Sequence, residues 1–227
     1  KRAVIVGGGF IGLEMAENLS DRGIAVSLCD MADQVMPPMD KDMAKIVEIR
    51  LAEKGVNLYL GNGLKDIQND GAVVTLANGT TLETELAILS IGVKPNSQIA
   101  EAAGLELNER RGIKVDKYMR TSDENIYAVG DVIGVTDYIL GNETMIPLAG
   151  PANKQGRNVA ENILDIGKKT YDGTLGTSVA KIFDMTVAST GASEKSLNRA
   201  GKVYGKDYLY TIVHPMSHAG YYPGATP

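Results

Sequence analysis

The sequence predicts an α/β fold, a parallel sheet with a small antiparallel meander inserted in it. Three observations carry that prediction. Residues Ala3-Val4-Ile5-Val6-Gly7-Gly8-Gly9-Phe10-Ile11-Gly12 read as a buried strand, a glycine turn and the start of a helix. Ala25-Val26-Ser27-Leu28-Cys29 reads as a second strand that delivers Asp30 at its end. Between Leu64 and Glu85 the strands become short and are broken by Asn69-Asp70-Gly71 and Asn78-Gly79, residues that tolerate the positive φ of hairpin turns.

Gly7, Gly9 and Gly12 fit the spacing G-x-G-x-x-G. In a Rossmann-like dinucleotide fold the first glycine permits the tight turn, the second lets a pyrophosphate approach the backbone, and the third lets helix and strand pack closely. The helix N-terminus then offers N–H groups and a positive dipole end to the phosphates. Asp30 follows Gly7 by 23 residues, close to the roughly 20 at which an acid reaches the ribose diol. A carboxylate there repels a 2′-phosphate, so Asp30 favours NAD(H) over NADP(H). The bland alternative is an acid capping a turn.

The remaining elements follow in order. The first helix is expected to put Ile11, Ala16 and Leu19 on one side and to end near Gly23. Asp40 caps a helix through Lys54, with Met43, Ile46, Val47 and Leu51 as its apolar stripe. A strand at Val56–Leu60 follows, and Leu86–Ile91 is a buried parallel strand running into Gly92. A short helix spans 97–103. A strand over 125–131 delivers Gly130-Asp131, a loop covers 132–146, and a helix opens at Pro147-Leu148-Ala149-Gly150-Pro151 and runs to about Gly167. Strands at Val179–Phe183 and Tyr208–Val213 flank a helix over 193–201.

Composition narrows the function classes. The chain carries 44% hydrophobic and 22% charged residues with a net charge of −5 and no dense Lys/Arg run, so nucleic acid is not an expected partner, and neither is a membrane. Its apolar runs fall short of the ~20 residues that span a bilayer. Cys29 is the only cysteine, which excludes an intrachain disulfide and suits a reducing cytoplasm. It sits in a strand with no nearby histidine, so it reads as a small core residue and not as a nucleophile. His214 and His218 are the only histidines; Pro215 and Gly220 argue against the helix that would pair them on a metal. Because Lys1-Arg2 leads straight into the first strand and the chain stops just after a patterned segment, it is expected to be a piece of a longer protein.

These residues together resemble the flavoprotein disulfide reductases with two dinucleotide-binding domains. The resemblance covers essentially the whole chain. It rests on Gly7-Gly8-Gly9-Phe10-Ile11-Gly12-Leu13-Glu14, on Ser90-Ile91-Gly92-Val93-Lys94-Pro95-Asn96, and on Thr121-Ser122-Asp123-Glu124-Asn125-Ile126-Tyr127-Ala128-Val129-Gly130-Asp131. The segment Pro147–Arg157 and the ending Ser217-His218-Ala219-Gly220-Tyr221-Tyr222, in place of a His-x-His-Pro-Thr segment, are similar to the branch of coenzyme A-disulfide reductases, NADH oxidases and NADH peroxidases.

The resemblance implies an NAD(H)-binding domain at 1–115, the C-terminal part of an FAD-binding domain at 116–172, and the start of a truncated α+β dimerisation domain at 173–227. It implies that Gly7, Gly9, Ile11 and Gly12 hold NAD(H) with Asp30, that Phe10 gates the flavin, that Glu14 sits near the nicotinamide carboxamide, and that Gly92 lines the groove. Phe10 as an ordinary packed aromatic is the alternative. Gly130 and Asp131 would bind FAD, with Leu148 and Ala149 at the isoalloxazine end, where a helix dipole stabilises negative charge. Tyr221 or Tyr222 would reach the redox cysteine of a homodimer partner; that cysteine belongs to the family's N-terminal FAD half, which this sequence does not contain. In the full-length enzyme hydride would pass from NADH to FAD and on to a disulfide such as coenzyme A disulfide, or to a persulfide, oxygen or peroxide; this piece alone is expected to lack turnover. Two other classes stay open: a non-catalytic NAD(H) sensor and a structural dimerisation fragment.

Overall fold

The structure, a computed structural model, describes residues 1–216 and 218–224. Contacts divide the chain into one unit over Lys1–Ser193 and a second over Glu194–Pro227.

In the first unit, β1 (Arg2–Val6), α1 (Phe10–Ser20), β2 (Ala25–Cys29), α2 (Lys41–Glu53) and β3 (Asn57–Tyr59) alternate, and β7 (Leu86–Leu89) returns beside β1. The parallel sheet has the order β3-β2-β1-β7, that of a mononucleotide-binding half. Alternation along β1 explains how it is buried on both faces. Ala3 and Ile5 pack with Leu13, Ala16, Val47 and Leu51 of the helices. Val4 and Val6 pack with Val74 and Leu76 of the meander β4 (Leu64–Gln68), β5 (Val73–Leu76) and β6 (Thr81–Glu83). The expected α/β class with its meander is what forms; the meander is a separate three-stranded sheet laid over one face.

Several expectations are corrected. Ile11 is 55% exposed, and α1 buries Gly12, Leu13, Ala16, Glu17 and Leu19. Met43 and Ile46 are likewise exposed, because Ala44, Val47, Glu48 and Leu51 form the inner face of α2. β7 is an edge strand, so Leu86 and Leu89 face outward.

Beyond β7 come α3 (Gln98–Ala102), a short ribbon of β8 (Val135–Thr136) with β9 (Glu143–Thr144), and α4 (Ala149–Ile163). Their core gathers Ala100, Ile113, Met119, Ile133, Val135 and Tyr171. Residues 125–131 do not make the expected strand. Val129 is extended, but among the described residues only an isolated bridge joins Tyr127 to Arg120, and Gly130–Val132 closes into a 3-10 turn. α4 ends at Ile163, before a left-handed Asp165.

A hairpin that the sequence reading recognised only in its first strand joins β10 (Ser178–Ile182) to β11 (Met185–Ser189). Its tip docks on the nucleotide-fold helices. Phe183 is buried in the α1–α2 core, and its N–H donates to Glu17 Oε2 at 2.8 Å. Lys181 Nζ meets Glu17 Oε1 at 3.1 Å, and Asp184 pairs with Arg50 and Lys54 at 3.4 Å each.

The second unit holds α5 (Glu194–Arg199), inside the helix expected over 193–201, and a cluster of Tyr204, Tyr208 and Tyr210. The strand expected over Tyr208–Val213 does not form: among the described residues only a bridge from Tyr208 to Tyr204 is made, so the segment lacks a ladder partner.

Candidate functional site

The site forms where the parallel strands end at their carboxyl edge. Gly7 leaves β1 at φ +112, and its N–H donates to the Cys29 carbonyl at 2.8 Å. A Cβ on Gly7 would lie 2.3 Å from the Ser90 carbonyl oxygen, and one on Gly12 would lie 1.9 Å from the Gly7 carbonyl oxygen. Neighbouring backbone therefore leaves no room for a side chain at either position. Gly9 differs: a Cβ there would meet nothing within 4 Å. Nothing in the surrounding protein requires glycine at this position, and the space beside it is open.

Gly9 caps α1, and the first N–H to join the helical ladder is that of Leu13, on the Gly9 carbonyl at 3.0 Å. The N–H groups from Gly9 to Gly12 precede that ladder and suit an anion. Asp30 ends β2, half-buried, and its Oδ2 accepts the Gly8 N–H at 2.6 Å. Phe10 is half-buried and packed on the α1–α2 core, while Ile11 and Glu14 are exposed on the first turns of α1. Gly92, exposed at φ +103, follows the end of β7.

A second glycine position lies further along. Gly130 has φ +84, and its N–H donates to Gln155 Oε1 at 2.8 Å. Gln155 is 1% exposed, so α4 holds this turn from inside. Asp131 is exposed and lines a groove of about 680 Å³ together with Val93, Lys94, Pro95, Asn96 and Pro147. Leu148 caps α4 in an extended conformation, and Ala149 is the first helical residue. The structure thus brings Asp131, Pro147 just before α4 and the segment after Gly92 to one groove; Leu148 and Ala149 themselves do not line it.

Cys29 is fully buried beside Val4, Val6, Val74 and Leu76. Burial first, and then the neighbouring Asp30 charge, push its thiol up to about 11, so it carries no nucleophilic thiolate at neutral pH. Tyr221 and Tyr222 belong to the second unit; Tyr221 is 90% exposed, and Tyr222 stacks on His218 with ring centroids 4.9 Å apart. No group of three or more His, Cys, Asp or Glu among the described residues is arranged to hold a metal. Among the described residues no helix is long and apolar enough to cross a membrane.

Sequence reasoning missed three supporting residues. Ser90 Oγ donates to the carbonyls of Val6 at 2.9 Å and Gly7 at 3.2 Å, tying β7 to the turn. Gln34 is buried under the segment after β2, and Gln155 sits behind Gly130. Ser90 and Gln155 lie in stretches whose spacing drew attention, but local sequence carries no sign that a particular polar side chain is turned inward.

A family model described as pyridine nucleotide-disulphide oxidoreductase matches residues 1–156. An NADH oxidase of Methanocaldococcus jannaschii is 36% identical over 228 residues, covering 99% of this chain and 49% of that protein. A coenzyme A disulfide reductase of Staphylococcus haemolyticus is 31% identical over 226 residues, covering 100% of this chain and 50% of that protein. The chain thus spans about half the length of the curated relatives it matches.

Among solved structures, reduced CoADR-RHD of Bacillus anthracis superposes with a TM-score of 0.93 at 50% identity, covering 100% of this chain and 40% of that one. The water-forming NADH oxidase of Lactobacillus brevis bound to NADH superposes at 0.86 with 30% identity, covering 99% of this chain and 49% of that one. Its engineered variant, an NADPH oxidase bound to NADPH, superposes at 0.87 with 29% identity over the same shares. That variant replaces a glycine, then 18 residues on an aspartate, an alanine and a methionine in a row, and 5 residues later a proline.

Proposed function

Because the chain belongs to the pyridine nucleotide-disulphide oxidoreductase family, we propose that it is the NAD(H)-binding part of a flavoprotein that carries hydride from NADH to FAD and on to a cysteine-centred disulfide reduction. The observation that carries this reading is the open space over Gly9, set between two glycines that the protein backbone itself requires.

In this reading the N–H groups at the start of α1 bind the pyrophosphate, and Asp30 accepts from the adenosine ribose diol. Phe10, Ile11, Glu14 and Gly92 face the nicotinamide end, with Phe10 shielding the flavin until the nucleotide enters. Gly130 and Asp131 hold the ribityl and phosphate region of FAD, a role supported by the groove that Asp131 lines. Leu148 and Ala149 present the start of α4 to the isoalloxazine, where the helix dipole favours added negative charge. Bound FAD supplies the two-electron chemistry; the residues of this chain position the two cofactors and exclude water between them.

Preference for NADH is supported by a spacing. Gly12, then Asp30-Met31-Ala32, then Pro37 follow the same intervals of 18 and 5 as the positions replaced to make the engineered NADPH oxidase. The terminal acceptor is coenzyme A disulfide, with oxygen or peroxide as the alternative. The redox cysteine lies outside this chain, and Tyr221 and Tyr222 approach it across a homodimer in the cytoplasm. Residues 1–115 serve NAD(H), 116–172 serve FAD, and 173 onward begin the dimerisation region.

The test is spectroscopic. The flavin-loaded full-length protein, which would carry the redox cysteine, is titrated anaerobically with NADH and with NADPH, then offered coenzyme A disulfide. Flavin bleaching by NADH at concentrations well below those needed with NADPH, and return of the oxidised spectrum on adding the disulfide, are expected. Equal response to both nucleotides removes the role of Asp30, and absence of bleaching removes the enzyme reading.

A further inference from the structure

The glycine turn is braced from outside as well as from within. The Gly8 N–H donates to Asp30 Oδ2 at 2.6 Å, and the Gly8 carbonyl accepts from the Met36 N–H at 2.8 Å. One peptide position is thus gripped at both ends by the segment that follows β2. That segment has its own brace. Asp30 Oδ1 accepts the Ala32 N–H at 2.8 Å, and Gln34, only 2% exposed, directs Nε2 at the carbonyls of Met39 at 3.0 Å, Val35 at 3.3 Å and Met36 at 3.5 Å. Contact is close enough that a Cβ on Gly8 would meet Val35 Cγ1 at 3.3 Å and Asp30 Oδ2 at 3.4 Å.

We propose that Asp30 is a positioning residue for the phosphate-binding turn in addition to its contact with the adenosine ribose. The reasoning is geometric. A charge-assisted bond of 2.6 Å to a backbone N–H is among the stronger single hydrogen bonds a protein makes; this one fixes the Gly7–Gly8 peptide, and the Met36 N–H on the Gly8 carbonyl fixes the peptide that follows, whose N–H is that of Gly9. The N–H groups of Gly9 to Gly12 receive their direction from that peptide. Loss of the carboxylate frees the turn as well as the diol. Nucleotide selectivity is therefore a property of the joined unit of turn and 30–39 segment, and deleting the acid charge alone does not create a good NADPH site. The inference rests on the proposed function in placing a nucleotide phosphate at this turn.

The test separates the two roles with a probe that has no adenosine ribose. Reduced nicotinamide mononucleotide keeps the nicotinamide and one phosphate. Flavin reduction by NADH and by this mononucleotide is measured in the full-length flavin-loaded protein and its Asp30→Ala and Asp30→Asn variants. Asp30→Ala is expected to slow the mononucleotide reaction about tenfold and the NADH reaction more, since about 1.4 kcal/mol corresponds to tenfold. Asp30→Asn, which keeps one acceptor oxygen and the side-chain volume, falls between and guards against a folding defect.

Hydrogen exchange supplies a readout without nucleotide: the Gly8 amide is expected to exchange at least tenfold faster in Asp30→Ala. A mononucleotide reaction unchanged while NADH is lost would overturn the proposal and leave Asp30 a diol contact alone. An unchanged Gly8 amide overturns it as well. If neither donor is affected, the placement of the nucleotide at this edge fails, which is a different result from failure of the positioning role.

Discussion

The two glycine positions of this chain are built in opposite ways. The β1–α1 turn is over-determined. Gly7 is hemmed in by Ser90, Gly12 by Gly7, and Gly8 by Asp30 and Met36, so the turn has its shape before any ligand arrives. Gly130 has left-handed backbone too, yet a Cβ on it would meet nothing within 4 Å; its N–H donates to Gln155, and its carbonyl accepts the Ile133 N–H in a long bond of 3.3 Å. The first is a preorganised cradle. The second is a turn held from inside the protein by one buried side-chain amide and closed by one long backbone bond, and its acid, Asp131, stands exposed. Binding at the first site costs little reordering, whereas the second gains its definition from whatever fills the adjoining groove.

That contrast is broken or sharpened most strongly by alanine at each glycine. Gly7→Ala meets two penalties, the unfavourable φ of +112 and the backbone oxygen 2.3 Å away, each on the order of 1–3 kcal/mol and together about 4 kcal/mol. Gly130→Ala meets only the conformational penalty, about 1–2 kcal/mol. Urea unfolding of both variants checks the ranking. Equal losses would mean that the first turn yields more readily than its contacts imply.

What was legible beforehand follows the same line. Residues whose role is set by backbone geometry announced themselves: the glycine spacing, Asp30 at the end of β2 and the hairpin glycines all describe chain direction, and the sheet order follows from them. Residues whose role depends on which way a helix is turned did not. Ile11 and Glu17 lie on the same helix, yet the isoleucine faces out and the glutamate faces in, because the β10–β11 hairpin brings Lys181 and the Phe183 N–H to meet it. No local pattern encodes a partner 164 residues away. Residues 125–131 and 208–213 carry strand-like sequence, but a strand also needs a neighbour, and hydrophobic alternation does not supply one.

Next in size is a pH effect on the cradle's floor. Cys29 lies under the turn with its thiol raised from an ordinary 9.0 to about 11. Below pH 9 both folded and unfolded chains keep the proton, so the thiol adds no pH dependence. Between pH 9 and 11 the unfolded chain releases it while the folded chain retains it, and stability falls as pH rises, by about 2–3 kcal/mol across the window. Other groups titrate there, so the measurement is the difference between the wild-type chain and Cys29→Ala, whose unfolding free energy should decline less steeply. The same variant, in the flavin-loaded protein, should keep its turnover. A steep loss of turnover without unfolding would make Cys29 a redox residue.

The smallest expected effect bears most directly on the comparison. Gln155→Ala removes the acceptor of the Gly130 N–H from a site where the glutamine is 1% exposed. A half-buried N–H left without a partner costs about 1–2 kcal/mol, and that loss falls on one turn and one groove. Flavin retention should weaken about tenfold, the equivalent of 1.4 kcal/mol, as followed by release of free FAD on dilution. NADH affinity, which the proposed function assigns to the separately braced turn after β1, should change less than about twofold. If NADH affinity drops in step with flavin retention, the two glycine sites share their support, and the picture of one self-sufficient cradle beside one dependent turn is replaced by a single coupled groove running from Gly92 to Asp131.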